Sequence, residues 1–403
     1  MSTFITALEN EKDYSNPENL VWQGYRRSDG RVGCRNHLVI LSTVALTDRL
    51  AQEICANNEL FVPVTGAFSR GLQHQDEKII DAFINAVVFH PNVGGALILT
   101  HDRQYMETLK ASLPESESIK FLSFMSCNGR EQAVEAGRLA GLELSRQITQ
   151  ERQPISFSEL CIALECGGSD VSSSICSNPM IGVFSDRLAH AGGSIVVSET
   201  AEFIGAEEIF NERCSDKKVK KSILNFIRKR EKLMNMDAGK DYRGTNPTNE
   251  NIEGGLTTLI EKSMGAVSKT GTSKFVSAIE FGERVNKPGL HFMDTPFFSP
   301  VSLTGMMMAG CTIGLFAMGV YNPSGNMLCP TVKICGNPKT IKQWSGEIDV
   351  DLSLYFLGQE TQTQALSRIV KEINLIFGGK PSIAERNKEG QFMLTRSWRH
   401  FKT

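Results

Sequence analysis

Short apolar runs alternate with helix-like stretches along most of this chain. A helix that follows a strand returns the chain so that the next strand runs parallel to the first, and the alternation therefore predicts parallel sheets covered by helices. We predict an α/β fold of two lobes, with mainly parallel sheets and an active site at the carboxyl ends of the strands. The predicted strands are 37–41, 96–100, 119–124, 160–165 and 194–198, and the predicted helices are 129–148 and 180–190.

Changes in polarity indicate how the chain is divided. Residues 1–20 are polar and lack periodicity, which predicts a mobile N-terminal lead-in. A polar stretch around residue 150 predicts a boundary between an N-terminal α/β domain, 21–150, and a C-terminal α/β domain, 151–403. Residues 241–255 are predicted to form a long polar loop, and loops of that length are often functional. The basic run 216–232 is interpreted as the solvated face of a helix.

The composition argues against several classes of function. A net charge of −2 over 403 residues gives no reason to expect nucleic acid or an anionic membrane as a partner. The sequence has no basic leader followed by an apolar core, and no apolar stretch approaches the roughly 20 residues that span a bilayer. Ten cysteines are scattered without a C-x-x-C pair, which is typical of buried thiols. We expect a cytoplasmic protein with no nucleic-acid and no membrane partner.

The run from Glu165 to Asp170 carries the strongest chemical signal. It places two carboxylates, a thiol, a hydroxyl and two glycines directly after a predicted strand, and a second polar cluster, 198–202, follows the next strand. The nucleophile elbow of Ser-His-Asp hydrolases, the P-loop and the dinucleotide-binding glycine motif are missing, which argues against hydrolase, kinase and nicotinamide chemistry. The residues favour general acid–base chemistry on a small polar substrate, with or without a metal.

Several further motifs occur in one order along the chain. They are 24–36, 90–95, 165–170, 198–202, 254–262, 293–294, 301–310 and 330–334. In these motifs the chain resembles the altronate/galactarate dehydratase family, over roughly residues 21–395. The resemblance implies a lyase that removes water from a sugar acid and leaves a 2-keto-3-deoxy acid. It also implies iron(2+) or another divalent metal as the cofactor.

The same resemblance leaves alternatives open. Some relatives use the scaffold to cleave a carbon–sulfur bond in sulfolactate, with a separate small subunit, and both reactions need a carboxylate clamp and a base. A separate small subunit and a homo-oligomer are therefore expected partners, besides the sugar acid itself. A different class of function is a non-catalytic protein that binds a sugar acid or supports a partner subunit.

The reaction indicates which residues carry the chemistry. Removing a proton next to a carboxylate needs a base, and the departing hydroxide needs an acid. The alternatives are an acidic first helical turn for Glu199 and Glu202, a turn-capping aspartate at 294 and an exposed lysine at 262. The predicted catalytic residues are Glu165, Asp170, Glu199, Glu202, Lys262 and Asp294, and the predicted metal ligand is Cys166.

Substrate binding needs a cation for the carboxylate. Arginine suits this role because its planar guanidinium binds a carboxylate through two hydrogen bonds. Arg35 is preferred because it lies just before a predicted strand, and the alternative for each arginine is a surface ion pair. The predicted substrate-binding residues are Arg26, Arg31, Arg35, Asn36, Gly167, Gly168, Ser169, Thr200 and Asn251.

The chain also departs from the family pattern. Family members usually carry cysteines where this chain has 43–48, Gly66-Ala67 and Thr100-His101-Asp102. A metal or cluster held by those cysteines in relatives could not bind here in the same way, because thiolates are the soft ligands that iron favours. His101 and Asp102 would offer harder ligands. The missing cysteines motivate the non-catalytic alternative.

Overall fold

The structure is a computed structural model that describes residues 12–66, 74–148, 151–238 and 241–394. Residues 1–11 of the predicted lead-in and Ala67 lie outside the described residues. The described part of the lead-in packs on the body of the protein, since Tyr14 and Pro17 are buried and the indole of Trp22 donates a hydrogen bond to the Pro17 carbonyl. None of the helices described is both long and apolar enough to cross a membrane.

The strands include each of the five that the sequence predicts. They are β1 (Trp22–Arg26), β2 (Val32–Gly33), β3 (His37–Ser42), β4 (Phe61–Val64), β5 (Val93–Thr100), β6 (Ile119–Ser123), β7 (Gln153–Ile155), β8 (Cys161–Cys166), β9 (Ser194–Val197), β10 (Phe275–Ile279), β11 (Gly289–Met293), β12 (Ile313–Met318), β13 (Thr331–Cys335) and β14 (Val350–Asp351).

The helices include the two predicted ones, which are α4 and α5 below. They are α1 (Asp48–Cys55), α2 (His74–Val88), α3 (Arg103–Ser112), α4 (Arg130–Gln147), α5 (Asn178–Ala191), α6 (Lys217–Ala238), α7 (Tyr242–Thr245), α8 (Asn249–Glu253), α9 (Leu259–Ser268), α10 (Ser299–Met308), α11 (Pro338–Gln343), α12 (Ser353–Phe356), α13 (Gln362–Phe377) and α14 (Ile383–Arg386). The predicted loop 241–255 thus contains the two short helices α7 and α8.

The larger sheet has seven parallel strands in the order β10-β11-β9-β8-β12-β13-β14. Its central strands are mainly apolar because helices cover both faces, and β12 is buried over its whole length. Helices α5, α9 and α13 pack on one face, and α10 packs on the other. In the register of β8 and β12, Glu165 lies beside Phe316 and Cys166 beside Ala317.

The smaller sheet has four parallel strands in the order β4-β3-β5-β6. Alternate residues of β3 face two separate apolar cores. Val39 and Leu41 belong to the core shared with the larger sheet, whereas Leu38 and Ile40 pack with α1 and α4. A third sheet, β2-β1-β7, is antiparallel and was not predicted. The parallel sheets confirm the predicted α/β fold class.

The two parallel sheets point in the same direction. Helices α2 and α10 pack together, and each runs from the carboxyl end of its own sheet towards the amino end. Their last turns lie side by side, because the imidazole of His90 bonds the carbonyl of Cys311 at 3.1 Å. The carboxyl ends of both sheets consequently lie on one side of the molecule, and the amino ends lie on the other.

Candidate active site

The first group at the carboxyl end of the larger sheet is a buried lysine with a thiol and a carboxylate. The ammonium of Lys269, just after α9, donates to Sγ of Cys166 at 3.0 Å and to Oε2 of Glu202 at 2.5 Å. The Cys166 thiol donates to Oε1 of Glu202 at 3.0 Å. Lys269 has no exposed surface, so its charge is balanced by buried protein groups rather than by water, with Glu202 in direct contact.

The electrostatics of this group keep the lysine charged and the thiol neutral. Burial by itself would lower the pKa of Lys269, but its interactions with Cys166, Glu202 and Glu165 together raise it well above the usual value. Burial, reinforced by Glu202, raises the pKa of the Cys166 thiol well above its usual value. The arrangement therefore holds an ammonium–carboxylate pair with a protonated thiol beside it.

A second group, formed by Glu165 and Glu199, lies at the same end of the sheet. Successive side chains of a strand alternate between its faces, so Glu165 faces α10 while Cys166 faces α9. Glu165 has no exposed surface, and neither of its carboxylate oxygens meets a partner with full hydrogen-bond geometry among the described residues. The carboxyl of Glu199 and the hydroxyl of Ser299 lie near enough to act on its pKa.

These two carboxyl groups have strongly raised pKa values. Burial raises the pKa of Glu165 to about 7, against the opposing effects of Glu199, Lys269 and Ser299. Burial, with the negative charges of Glu202 and Glu165, raises the pKa of Glu199 well above its usual value. Two adjacent carboxyls of this kind hold a proton between them near neutral pH, and such a pair is suited to donating one proton and accepting another.

The backbone at Glu199 is strained. Its φ of 63° lies in the left-handed region, which is unusual for a residue that is not glycine. The conformation is fixed by the hydroxyl of Thr295, which accepts a hydrogen bond from the Glu199 N–H at 2.6 Å. The chain then forms a short 3-10 turn, Thr200–Phe203, and this turn brings Glu202 to the Lys269 side of the cluster. One strained residue thus directs two carboxylates to different groups.

Asp294 and an unpredicted arginine complete the cluster. Asp294 follows β11, and its Oδ1 accepts hydrogen bonds from the hydroxyl of Thr200 at 2.7 Å and from Nη2 of Arg230 at 3.1 Å. Arg230 belongs to α6, within the basic run that was interpreted as a solvated face. That interpretation was wrong for this residue, whose side chain is 16% exposed and whose Nε is buried without a partner among the residues that the structure describes.

A cleft of about 1480 Å³ opens beside the cluster, and Gly168, Ser169 and Asn251 line it. The amide of Asn251 donates to the Ser169 carbonyl at 3.0 Å, which ties α8 to the Glu165–Asp170 run. Phe298 and Pro300 also line the cleft. Ser299 lies between Phe298 and Pro300 in the sequence, and its hydroxyl is near enough to lower the pKa of Glu165. The Glu165–Glu199 pair therefore lies directly behind the wall of this cleft.

The two glycines of the run allow the cleft wall to pack closely. A Cβ on Gly167 would stand 2.7 Å from the amide nitrogen of Asn322. Gly168 has φ +64°, and a Cβ there would stand 2.3 Å from the Val320 carbonyl oxygen. A side chain at either position would force the wall apart.

Two of the predicted catalytic residues have other contacts. Both oxygens of Asp170 are occupied, since Oδ1 accepts from the Ser173 N–H and the Ser172 hydroxyl and Oδ2 accepts from the Asn337 amide. Asp170 therefore caps the helical turn that begins at Val171 and leads into the π-helical segment Ser173–Ser177. Lys262 lies in the first turn of α9, and its ammonium donates to Asn246 at 3.3 Å. The structure does not bring Lys262 to Glu165 or Glu202.

The structure places Arg26, Arg31, Arg35 and Asn36 at the amino end of the sheets. A residue that precedes a parallel strand lies at its amino end, so the reason for preferring Arg35 pointed to the wrong side. Arg35 is buried against Glu385, to which Nε and Nη2 each donate at 2.8 Å. The other three pair locally: Arg26 with Glu159, Arg31 with Asp29 and the Phe89 carbonyl, and Asn36 with Arg27.

The donor set does not fit a metal centred on Cys166. Within the part of the chain that the structure describes, no three Cys, His, Asp or Glu side chains are grouped as metal ligands. The Cys166 thiol is protonated and occupied by Lys269 and Glu202, and an ammonium beside it opposes a cation.

The positions of the missing family cysteines converge. Residues 43–48 and Gly66 follow β3 and β4, and Thr100 is the last residue of β5. The three strands are neighbours, so all three positions lie at the carboxyl end of the smaller sheet. His101 and Asp102 do not form a joint metal site there. The carboxylate of Asp102 caps α3 by accepting from the Tyr105 N–H at 2.8 Å.

Comparisons with known proteins cover both halves of the chain. A family model described as D-galactarate/altronate dehydratase, C-terminal, matches residues 157–400, and one described as D-galactarate dehydratase/altronate hydrolase, second domain, matches 24–149. The altronate dehydratase of Escherichia coli is 31% identical, over 93% of this chain and 77% of its own length. That of Bacillus subtilis is 32% identical, over 87% and 72%. The (2R)-sulfolactate sulfo-lyase subunit beta of Chromohalobacter salexigens is 26% identical, over 93% and 96%.

Proposed function

Since the chain belongs to the D-galactarate/altronate dehydratase family, and is therefore an enzyme of the hydro-lyase class, we propose that it dehydrates an altronate-type sugar acid to a 2-keto-3-deoxy acid. Altronate is placed before galactarate because both relatives that exceed 30% identity are altronate dehydratases. The enzyme is proposed to be cytoplasmic.

The observation that carries the proposal is the Glu165–Glu199 pair behind the cleft wall. A base removes the proton from the carbon next to the substrate carboxylate, and an acid protonates the hydroxyl on the following carbon as it leaves as water. The enol that remains rearranges to the keto acid. A carboxyl with pKa about 7 beside one with a higher pKa supplies the base and the acid together near neutral pH.

The Lys269 group has a supporting electrostatic role in this proposal. Negative charge develops on the substrate when its proton is removed, and a fixed cation nearby stabilises that charge. Lys269 is already oriented by Cys166 and Glu202, so it needs no rearrangement during the reaction. Glu202 would keep the ammonium in place rather than exchange protons with the substrate.

Carbon–sulfur cleavage is the second candidate. The match to the (2R)-sulfolactate sulfo-lyase subunit beta extends over 96% of that subunit, so this chain contains a counterpart of nearly all of it. The same base would serve, with sulfite in place of water as the leaving group. A separate small subunit and a homo-oligomer belong to this part of the proposal.

Product analysis with purified protein tests the proposal. The protein is prepared without oxygen, analysed for metal and incubated with altronate, galactarate or (2R)-sulfolactate, with and without added iron(2+). We expect a 2-keto-3-deoxy acid from altronate, formed faster than from galactarate. Release of sulfite from sulfolactate alone would replace dehydration by the second candidate. Absence of any product from a folded protein under all conditions would contradict both.

A further inference from the structure

We propose that Arg230 is the residue that binds the substrate carboxylate, an inference that rests on the proposed function. The residue stands at the carboxyl end of the larger sheet, paired with Asp294 next to the Glu199–Glu202 turn. It would hold the acid group of the sugar acid so that the neighbouring carbon faces the Glu165–Glu199 pair.

The guanidinium of Arg230 has unused donor capacity. Only Nη2 has a described hydrogen bond, to Asp294, and Nε is buried without a partner. A buried donor that lacks a partner costs free energy, so its presence in a cluster of functional groups points to a ligand that pairs with it. A carboxylate fits this donor, because guanidinium binds carboxylate through two parallel hydrogen bonds.

Charge balance also favours Arg230. The cluster contains four carboxyl groups, Glu165, Glu199, Glu202 and Asp294, and those that are ionised would by themselves repel an anionic substrate. The ammonium of Lys269 is fully buried and occupied by Cys166 and Glu202. Arg230 is the remaining cation with a described contact to this cluster, and 16% of its side chain reaches solvent. A site that binds the carboxylate of a sugar acid therefore needs the positive charge of Arg230.

The arginines that the sequence predicted to bind the substrate carboxylate are already occupied by other groups. Arg35 donates hydrogen bonds to Glu385 and to the carbonyls of Cys34, Ile376 and Lys380, all at the amino end of the sheet. Arg31 is bound to Asp29 and the Phe89 carbonyl. Each would have to break these hydrogen bonds and move from the amino end to the carboxyl end of the sheet before it could reach Glu165.

The test compares Arg230→Lys and Arg230→Met with the wild type, using altronate and its neutral amide. We expect Arg230→Met to raise KM for altronate at least about 100-fold, corresponding to lost charge-assisted hydrogen bonds, with a smaller fall in kcat. Arg230→Lys should retain part of the affinity. The preference of the wild type for the acid over the amide should disappear in Arg230→Met, and added guanidinium should partly restore turnover of altronate.

Two controls separate binding from structure. Arg228 lies on the same helix, is exposed and contacts Asn225, so Arg228→Met should leave KM and the acid preference unchanged. Asp294→Asn removes the ion pair but keeps Arg230, and it should keep the preference for the acid. An Arg230→Met enzyme with unchanged KM and acid preference would overturn the inference. If the wild type turns over no sugar acid, calorimetric binding of altronate to wild type and Arg230→Met decides the inference independently of the proposed reaction.

Discussion

The amino and carboxyl ends of the sheets differ in how completely their buried polar groups are paired, although Nε2 of His37 at the amino end also has no partner among the described residues. At the amino end, Asn92 uses all its hydrogen-bonding capacity: its oxygen accepts from the Cys34 and Arg35 N–H groups, and its amide donates to the Thr312 and Leu328 carbonyls. At the carboxyl end, both oxygens of Glu165, one oxygen of Glu199 and Nε of Arg230 have no such partner among the described residues.

This difference in pairing distinguishes residues that stabilise the fold from residues that are available for chemistry. Fully paired buried groups are costly to disturb, because removing one partner leaves the other unsatisfied in a medium of low polarity. Unpaired groups with raised pKa values are costly to keep, and they persist where they meet a substrate. Residues of the same type therefore have different roles at the two ends: Arg35 holds the fold together, whereas Arg230 is free to bind.

Substitution at the carboxyl end should break activity without breaking the fold. Glu165→Gln keeps the shape of the side chain but removes its titration, and we expect kcat to fall by about 10²–10⁴-fold. The free energy of unfolding should stay the same or rise, since a buried carboxyl that can ionise is replaced by a neutral amide. Steady-state kinetics and urea unfolding measure the two quantities. Glu261→Gln, an exposed residue at the start of α9, is the control, and equal losses in both variants would remove Glu165 from the chemistry.

Substitution at the amino end should have the opposite pattern. Arg35→Met leaves Glu385 buried without its cation, and we expect the free energy of unfolding to fall by about 3–5 kcal/mol. The kcat of the folded enzyme should remain within about twofold. Arg26→Met is the matched control, because the Arg26–Glu159 pair is partly exposed and should contribute less than about 1 kcal/mol. A large loss of kcat in folded Arg35→Met would return Arg35 to the active site.

The pH dependence of the free energy of unfolding and of kcat should arise from Glu165 and Glu199 at the carboxyl end of the sheet. The folded-state pKa of Glu165, about 7, lies above its usual value of 4.5, so its protonated form favours folding. Its contribution is complete below pH 4.5 and is lost as the pH rises through 7, by roughly 3 kcal/mol. Glu165→Gln should gain stability over wild type by that amount across this range. The kcat of wild type should rise through pH 7 and fall at higher pH, when Glu199 loses its proton.

Cys166→Ser should have the smallest effect of these changes. A hydroxyl can still bond Lys269 and Glu202, so we expect kcat within about tenfold of wild type and an unchanged metal content. Metal analysis beside steady-state kinetics checks both. Loss of a bound metal together with activity would restore the metal-ligand role predicted for Cys166 and contradict the assignment of a neutral thiol.

The sequence was sufficient to predict the α/β fold class because the strands are mainly apolar and alternate with helices, with polar clusters at several strand ends. The sequence also placed Glu165, Cys166, Glu199 and Glu202 in polar clusters at strand ends, and the structure brings the two clusters together because β8 and β9 are adjacent parallel strands. The antiparallel sheet was missed because β2 and β7 are only two and three residues long. Such short strands are set by their partners rather than by any pattern of their own.

Two site residues that were not predicted, Arg230 and Lys269, are indicated only weakly by the sequence. Arg230 follows Ile223 and Ile227 at helical spacing, so it lies on the buried face of α6. The surrounding lysines and arginines of the basic run hide this spacing when the run is taken as one solvated face. Lys269 stands seven residues, or two helical turns, after Lys262, directly behind an apolar segment. Its pairing with Glu202 joins segments 67 residues apart, and such contacts depend on tertiary packing that sequence periodicity does not specify.

The bonds made by Asn92 also limit the order in which the protein can assemble. They reach across 220 residues to Thr312 and 236 residues to Leu328. During synthesis the smaller sheet is complete long before either carbonyl has left the ribosome, so the two lobes cannot dock until most of the chain is made. Until then the apolar surface of α2 lacks the α10 helix that covers it. A nascent chain of this protein consequently has a long interval in which it needs protection from aggregation.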